Sequence, residues 1–143
     1  MCDIMIESST LDSEVIESMI HRINSVPITD TLKMQILRLD KGVCEAFIPR
    51  EEKWDGIYET FHGGILATIA DSITCWAILT EIGSDSNVAT TDFNIRFLRP
   101  CKTDVRCLAK TIKVGRTMSL AEAKLFDLNN KLVAVAQVNY IIL

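Results

Sequence analysis

The sequence predicts an α+β fold in which one antiparallel sheet wraps a single long helix. Residues 63–82 are apolar nearly all round and show no β alternation, so they form a helix buried on most sides. After residue 87 the chain alternates as strands separated by short turns, the pattern of an antiparallel meander. A lone helix of this kind satisfies its surface only if the sheet curls around it.

Each element follows from its own residues. Ser8, Ser9 and Thr10 offer N-cap oxygens to a helix in which Leu11, Val15, Ile16, Met19, Ile20 and Ile23 recur at helical spacing. This helix ends near Asn24, ahead of Pro27. LKMQILRL and VCEAFIP flank Asp40-Lys41-Gly42, a turn signal between short apolar runs that predicts a hairpin. Residues 51–61, EEKWDGIYETF, read as a polar and aromatic loop. The long helix runs from Gly63 to about Ile82, where Gly83-Ser84-Asp85 stops it. In NVATTDFNIRFLRP, Ala89, Phe93, Ile95 and Phe97 fall on one face. Thr90, Asp92, Asn94 and Arg96 fall on the other, left to solvent or a second subunit. TDVRCLAKTIKV, RTMSLAEAKLFD and KLVAVAQVNYIIL complete the meander, divided by Gly115-Arg116 and Asn129-Asn130. No repeat, linker or low-complexity stretch interrupts this order, so residues 1–143 are expected to form one domain.

Composition excludes several classes of function. With 48% apolar and 24% charged residues, the chain has the balance of a soluble domain able to bury a core. Fifteen Lys and Arg, spread along a chain of net charge −4, give no basic surface for nucleic acid. Five cysteines with no C-x-x-C pair, and only two histidines, argue for reduced thiols in a cytoplasm and against a structural metal. MCDIMIESSTLDSE has acids where a signal peptide needs positive charge, and no segment approaches the ~18 uninterrupted apolar residues of a membrane helix.

The chemistry lies in FHGGILATIADS, residues 61–72. At about 100° per residue, Thr68, Asp71 and Cys75 all fall within roughly 40° of Gly64. They form a small, partly polar stripe, with Ile65, Leu66, Ile69, Ile73 and Trp76 left to make core contacts. The residues leave two readings of Asp71 open: a wet or ion-paired structural carboxylate, or a general base or nucleophile in an apolar cleft. Gly63 and Gly64 sit in the first turn, whose N–H groups lack intrahelical partners and carry the positive end of the helix dipole. Without a Cβ they admit an oxygen close to those donors, as an oxyanion hole or anion seat does; a tight loop-to-helix corner is the alternative. Gly63 and Asp71 lie about 12 Å apart along the axis, at ~1.5 Å per residue. One carbonyl cannot touch both in a single chain, so a shared substrate requires two chains to meet. A cysteine nucleophile at Cys75 lacks a base, because His62 is about 20 Å away along the helix.

The stretch HGGILATIAD, followed by TTDFNIRFLRP, VGRT and LVAVAQ, resembles the hotdog-fold acyl-CoA thioesterases of the PaaI type. The resemblance covers roughly residues 45–143, and its most specific part is H-G-G with an Asp seven residues after the second Gly. It implies a sheet wrapped around a central helix, pairing into dimers and usually tetramers, with active sites at the dimer interface. It also implies hydrolysis of an acyl-CoA thioester without metal or separate cofactor, coenzyme A being part of the substrate. Carried over by position, Gly63 offers its N–H to the thioester oxygen, and Asp71 of the partner subunit attacks or activates water. Thr90 falls where relatives have a Ser or Thr that orients that water. Lys113, Gly115 and Arg116 resemble the turn that meets the CoA arm. His62, Gly64 and Gly56 complete the substrate-binding set, with His62 read as fixing the helix start by hydrogen bonding rather than as a proton carrier.

The chain departs from the family upstream of H-G-G. Many relatives place an Asn six residues before the His and a Gly three before it, where this chain has Gly56 and Glu59. Asp55 is the nearest candidate for the role of that Asn. Trp54, Ile57, Tyr58, Phe61 and Trp76 are candidates to line an acyl pocket, with core packing the preferred reading for Trp76. Two other functions are carried beside hydrolysis. A non-catalytic acyl-CoA or lipid binder would not need Asp71, and a hotdog hydratase or dehydratase would set its catalytic His in a separate loop.

Overall fold

The computed structural model describes residues 9–143; Cys2 and Ser8 lie outside the described residues. Helix α1 spans Ser13–Ser25 and is followed directly by a short α2, Pro27–Thr31. Strands β1 (Gln35–Asp40) and β2 (Val43–Ile48) form the expected hairpin, with Gly42 at φ 73 in the turn. A single 3-10 turn at Glu52–Trp54 leads to α3, Gly63–Ile82. Four strands follow: β3 Val88–Phe97, β4 Val105–Val114, β5 Met118–Phe126 and β6 Leu132–Ile142.

All six strands join one antiparallel sheet in the order β1-β2-β4-β5-β6-β3, and α3 contacts every one of them. Ile69, Ile73, Ala77 and Ile78 of α3 are fully buried against it. Among the described residues α3 alone has the length and apolar composition to cross a membrane. Its place inside the curled sheet accounts for that composition. Replacing Ile73 by Ala leaves a cavity at the centre of this packing. The expected loss of about 2–5 kcal/mol should appear as a lower denaturation midpoint in urea, with little change in slope.

Three local expectations are corrected. The first helix is not capped by Ser9 or Thr10: Asp12 is the N-cap residue, and it makes no side-chain capping bond. Ser9 and Thr10 instead engage β1. Thr10 donates its N–H (2.7 Å) and hydroxyl (2.9 Å) to Asp40 Oδ1, and the Ser9 hydroxyl donates to Leu39 O at 2.6 Å. Those two Thr10 bonds, helped by Arg38, hold the Asp40 carboxyl down at about 2.

The strands after α3 are not one simple meander. Only β4, β5 and β6 follow in sequence, whereas β3 pairs with β6 at the edge of the sheet. Residues 98–104 carry the chain back to β4, a connection too long for a tight hairpin and containing Pro100, which cannot donate to a ladder. This crossover docks on the loop before α3, with Phe61 N–H donating to Cys101 O at 2.8 Å.

The third correction concerns the faces of β3. The register against β6 shifts between Thr90 and Asp92, leaving Thr91 as an extra residue. Thr90 is therefore opposite Tyr140 and Phe93 opposite Val138, both partners buried on the helix side of β6. Strict alternation put Thr90 on the outer face with Asp92, Asn94 and Arg96. The bulge turns it inward, onto the side of Phe93, Ile95 and Phe97.

Candidate active site

Asp71 lies midway along the stripe Gly64, Thr68, Asp71, Cys75. All four are incompletely buried, while Ile69, Ala70, Ile73 and Thr74 beside them are closed off. Its own sheet thus leaves this line of α3 partly open. Two hydroxyls converge on one carboxylate oxygen: Thr90 Oγ1 donates to Asp71 Oδ1 at 2.7 Å, and the Tyr140 hydroxyl lies 3.1 Å from the same atom. Asp71 Oδ2 has no hydrogen-bond partner among the described residues. The same hydroxyl is also within hydrogen-bond reach of the Asp71 backbone carbonyl and lies 2.7 Å from Thr74 Oγ1. Burial drives the Tyr140 phenol far above its ordinary range, so it stays protonated. Burial, and then the Asp71 charge, push the Cys75 thiol up to about 11, which keeps it from acting as a thiolate.

Sequence reasoning missed Tyr140, although a signal for it existed. It alternates with Val138 and Ala136 on the buried face of β6, and a buried tyrosine must find a partner for its hydroxyl.

The helix start is built by His62, the N-cap residue of α3. Its Nδ1 accepts the Gly64 N–H at 2.9 Å, which places the ring proton on Nε2. That leaves the neighbouring Gly63 N–H without an acceptor among the described residues. The Phe97 ring lies against Gly63, where an added Cβ would come within 3.2 Å of Cζ. Edge strand β3 therefore reaches both features of α3, with Thr90 at the carboxylate and Phe97 at the helix start.

The loop before the helix is held by an ion pair. Arg50 Nε donates to Asp55 Oδ1 at 3.1 Å, and an Arg50 NH2 group donates to Oδ2. Both Asp55 oxygens are thus engaged by Arg50. Gly56 N–H donates to Thr60 O at 2.8 Å, closing a tip that leaves Ile57 and Tyr58 88% and 81% exposed. Phe61 is buried in the core. Trp76, 6% exposed, packs in the core and also walls a cleft of about 240 Å³ that Asp71, Thr90 and Tyr140 share with Val26 and Ile28.

Lys113, near the end of β4, and Gly115 and Arg116, in the turn to β5, line a second depression of about 340 Å³. A Cβ on Gly115 would sit 2.7 Å from Met118 O, so the turn requires glycine there. Lys113 and Arg116 are exposed and have no carboxylate partner among the described residues. The turn leads into Ser119, which stands opposite Tyr140, itself opposite Thr90. The cationic turn and the carboxylate thus share one end of the sheet, with Gly63 toward the other.

A single sheet curled round one long helix, with a carboxylate on the helix's open stripe and a free N–H at its start, makes this a hotdog-fold protein. The chain belongs to the thioesterase superfamily, whose family model matches residues 58–134. It is 31% identical to human acyl-coenzyme A thioesterase 13 over 121 residues, covering 82% of this chain and 81% of that protein. Its fold matches the PaaI protein of E. coli, from the phenylacetic acid degradation operon, with a TM-score of 0.85 over 94% of this chain and 96% of that one, at 16% identity. A thioesterase family protein from Silicibacter pomeroyi matches at TM-score 0.84 over 90% and 98% of the two chains, at 22% identity. The protein is a thioester hydrolase of this superfamily.

Proposed function

We propose that the protein hydrolyses acyl-CoA thioesters at sites shared between two copies of the chain. The observation that carries this reading is the Asp71 carboxylate, held by two hydroxyls on Oδ1 and unpartnered on Oδ2, in a cleft walled by Val26, Ile28, Cys75, Trp76 and Val88. The Gly63 N–H of one protomer receives the thioester oxygen, and Asp71 of the partner subunit faces the carbonyl carbon. Oδ2 takes a proton from water as the hydroxide adds to that carbon. The tetrahedral oxyanion is stabilised at the helix start. Its collapse breaks the C–S bond, and the CoA thiolate leaves with the proton returned from Asp71. Thr90 holds the carboxylate and its water, and His62, Gly64 and Gly56 shape the approach. Direct attack by Asp71 is the covalent alternative. In a single turnover in oxygen-18 water, label in Asp71 would mark the covalent route, with water adding to the Asp71 carbonyl of the mixed anhydride, whereas the base route leaves Asp71 unlabelled.

Pairing through the edge of β3 fits the exposure of Phe93 and Phe97 on that strand, beside the open stripe of α3. A tetramer formed as a pair of such dimers, working in the cytoplasm with Cys44, Cys75, Cys101 and Cys107 as free thiols, completes the proposal. No separate cofactor enters the mechanism.

The test is release of free thiol from a panel of acyl-CoAs of graded chain length and of aryl acyl-CoAs. Binding without cleavage across the panel would favour the non-catalytic binder, and a fully active monomer would remove the shared site. Arg116→Ala should raise KM about tenfold, the worth of one charge-assisted phosphate contact, while leaving kcat near its original value. Equal KM values for CoA esters and for truncated thioesters lacking the nucleotide, in both proteins, would exclude the turn as the CoA contact.

A further inference from the structure

We infer that Tyr140 is a positioning residue that fixes the Asp71 carboxylate for thioester hydrolysis, an inference that rests on the function proposed above. The phenol lies 2% exposed on β6, opposite Thr90 on one side and Ser119 on the other. Its hydroxyl is within reach of three oxygens on α3: Asp71 Oδ1, the Asp71 carbonyl and Thr74 Oγ1.

Counting protons gives these contacts a direction. Tyr140 has one hydroxyl proton, and so does Thr74. Thr74 can place its proton on Ala70 O, 2.7 Å away one helical turn back, leaving the Tyr140 proton for Asp71. A carboxylate attracts that proton more strongly than a peptide carbonyl does. When Asp71 is ionised, the phenol and Thr90 hydroxyl protons both point at Oδ1. The carboxylate is then pinned in one rotamer, with Oδ2 turned to the cleft. When Asp71 is protonated, the phenol proton returns to the Asp71 backbone carbonyl. Tyr140 thus responds to the charge of the group it holds.

A tyrosine placed there for bulk alone would need only its ring, since Thr90 by itself supplies a hydrogen bond to Oδ1. The titratable groups near Asp71 are few among the described residues. They are Tyr140 on β6 and Cys75 on α3, with the Arg22 charge on α1 acting on Cys75. From β3 comes only the Thr90 hydroxyl, because Asp92 bonds Thr91 and Asn139 instead.

Tyr140→Phe keeps the ring and removes the donor. The expected result is a fall in kcat of about tenfold with KM unchanged, as for loss of one hydrogen bond to a charged group. Wild-type kcat and KM in a folded Tyr140→Phe protein would overturn the inference.

A second measurement requires neither turnover nor a weakened fold. The sequence has only two tyrosines, so 3-fluorotyrosine incorporated into Tyr58→Phe protein reports Tyr140 alone. Its fluorine resonance should titrate with Asp71 and lose that titration in Asp71→Asn. A resonance that ignores Asp71 ionisation would overturn the inference even if Tyr140→Phe does not fold. Should Asp71→Asn hydrolyse substrate at the wild-type rate while the fluorine titrates only in the protein that retains Asp71, the functional reading fails and the Tyr140–Asp71 coupling stands.

Discussion

Asp71→Asn is expected to lower kcat for the best acyl-CoA by about 10²–10⁴-fold, the range for loss of a positioned general base. The substitution is nearly isosteric. The amide oxygen still accepts from Thr90 and Tyr140, so the two hydroxyls that hold Asp71 Oδ1 keep a partner. What is lost is the basic oxygen at Oδ2, the carboxylate oxygen without a hydrogen-bond partner among the described residues. KM should therefore change little, and the thermal midpoint should stay close to that of the parent. Wild-type turnover in a folded Asp71→Asn protein would remove Asp71 from the mechanism. A fall in kcat accompanied by a large drop in stability would assign it a structural role instead.

The second large effect is expected from Gly63→Pro. Gly63 is the first residue of α3, the position at which proline is best tolerated because its missing N–H has no intrahelical use. His62, with φ −61 and ψ 131, already has the extended backbone that a following proline demands. An added Cβ meets the outer end of the Phe97 side chain, 3.2 Å from Cζ, rather than backbone. The substitution thus deletes the proposed oxyanion donor with little disturbance of the helix. A loss of about 10²–10³-fold in kcat is expected.

Mixing this variant with Asp71→Asn then reads out the geometry of the site. If Gly63 and Asp71 act across two subunits, half of the re-equilibrated dimers are hybrids with one intact site, restoring about a quarter of wild-type activity. If both act within one chain, the mixture stays as inactive as its components.

The sequence made the long helix, the hairpin and the three-strand meander legible because each depends on patterning within a short window. Gly42 and the apolar runs on either side of it specify β1 and β2 locally. The uninterrupted apolar character of residues 63–82 specifies the helix and its central place. The stripe through Gly64 and Asp71 was visible for the same reason, since helical periodicity needs no knowledge of the partner surface. The pairing of β3 with β6 was not legible. It is decided by the path of residues 98–104 across the molecule, and no local pattern distinguishes that path from a turn into β4. The first cap was misread because Ser9 and Thr10 are drawn to Asp40, thirty residues away. Of the site, Asp71 and Gly63 came from the helix alone, whereas Tyr140 required the register of β6 against both β3 and β5. The Arg50 pair that occupies Asp55 spans only five residues, but its geometry depends on the fold of the loop.

The unpaired Thr91 gives one strand two reading frames. Past it, Phe93, Ile95 and Phe97 keep the frame that alternation prescribes, with Phe93 and Phe97 exposed at the edge of the sheet and Ile95 packed against the core. Before it, the frame is shifted by one and Thr90 turns toward the carboxylate. The exposed aromatic edge and the hydroxyl that meets Asp71 are thereby set by separate parts of the same ten residues. Side chains along the edge can change while the hydroxyl keeps its bearing on Asp71.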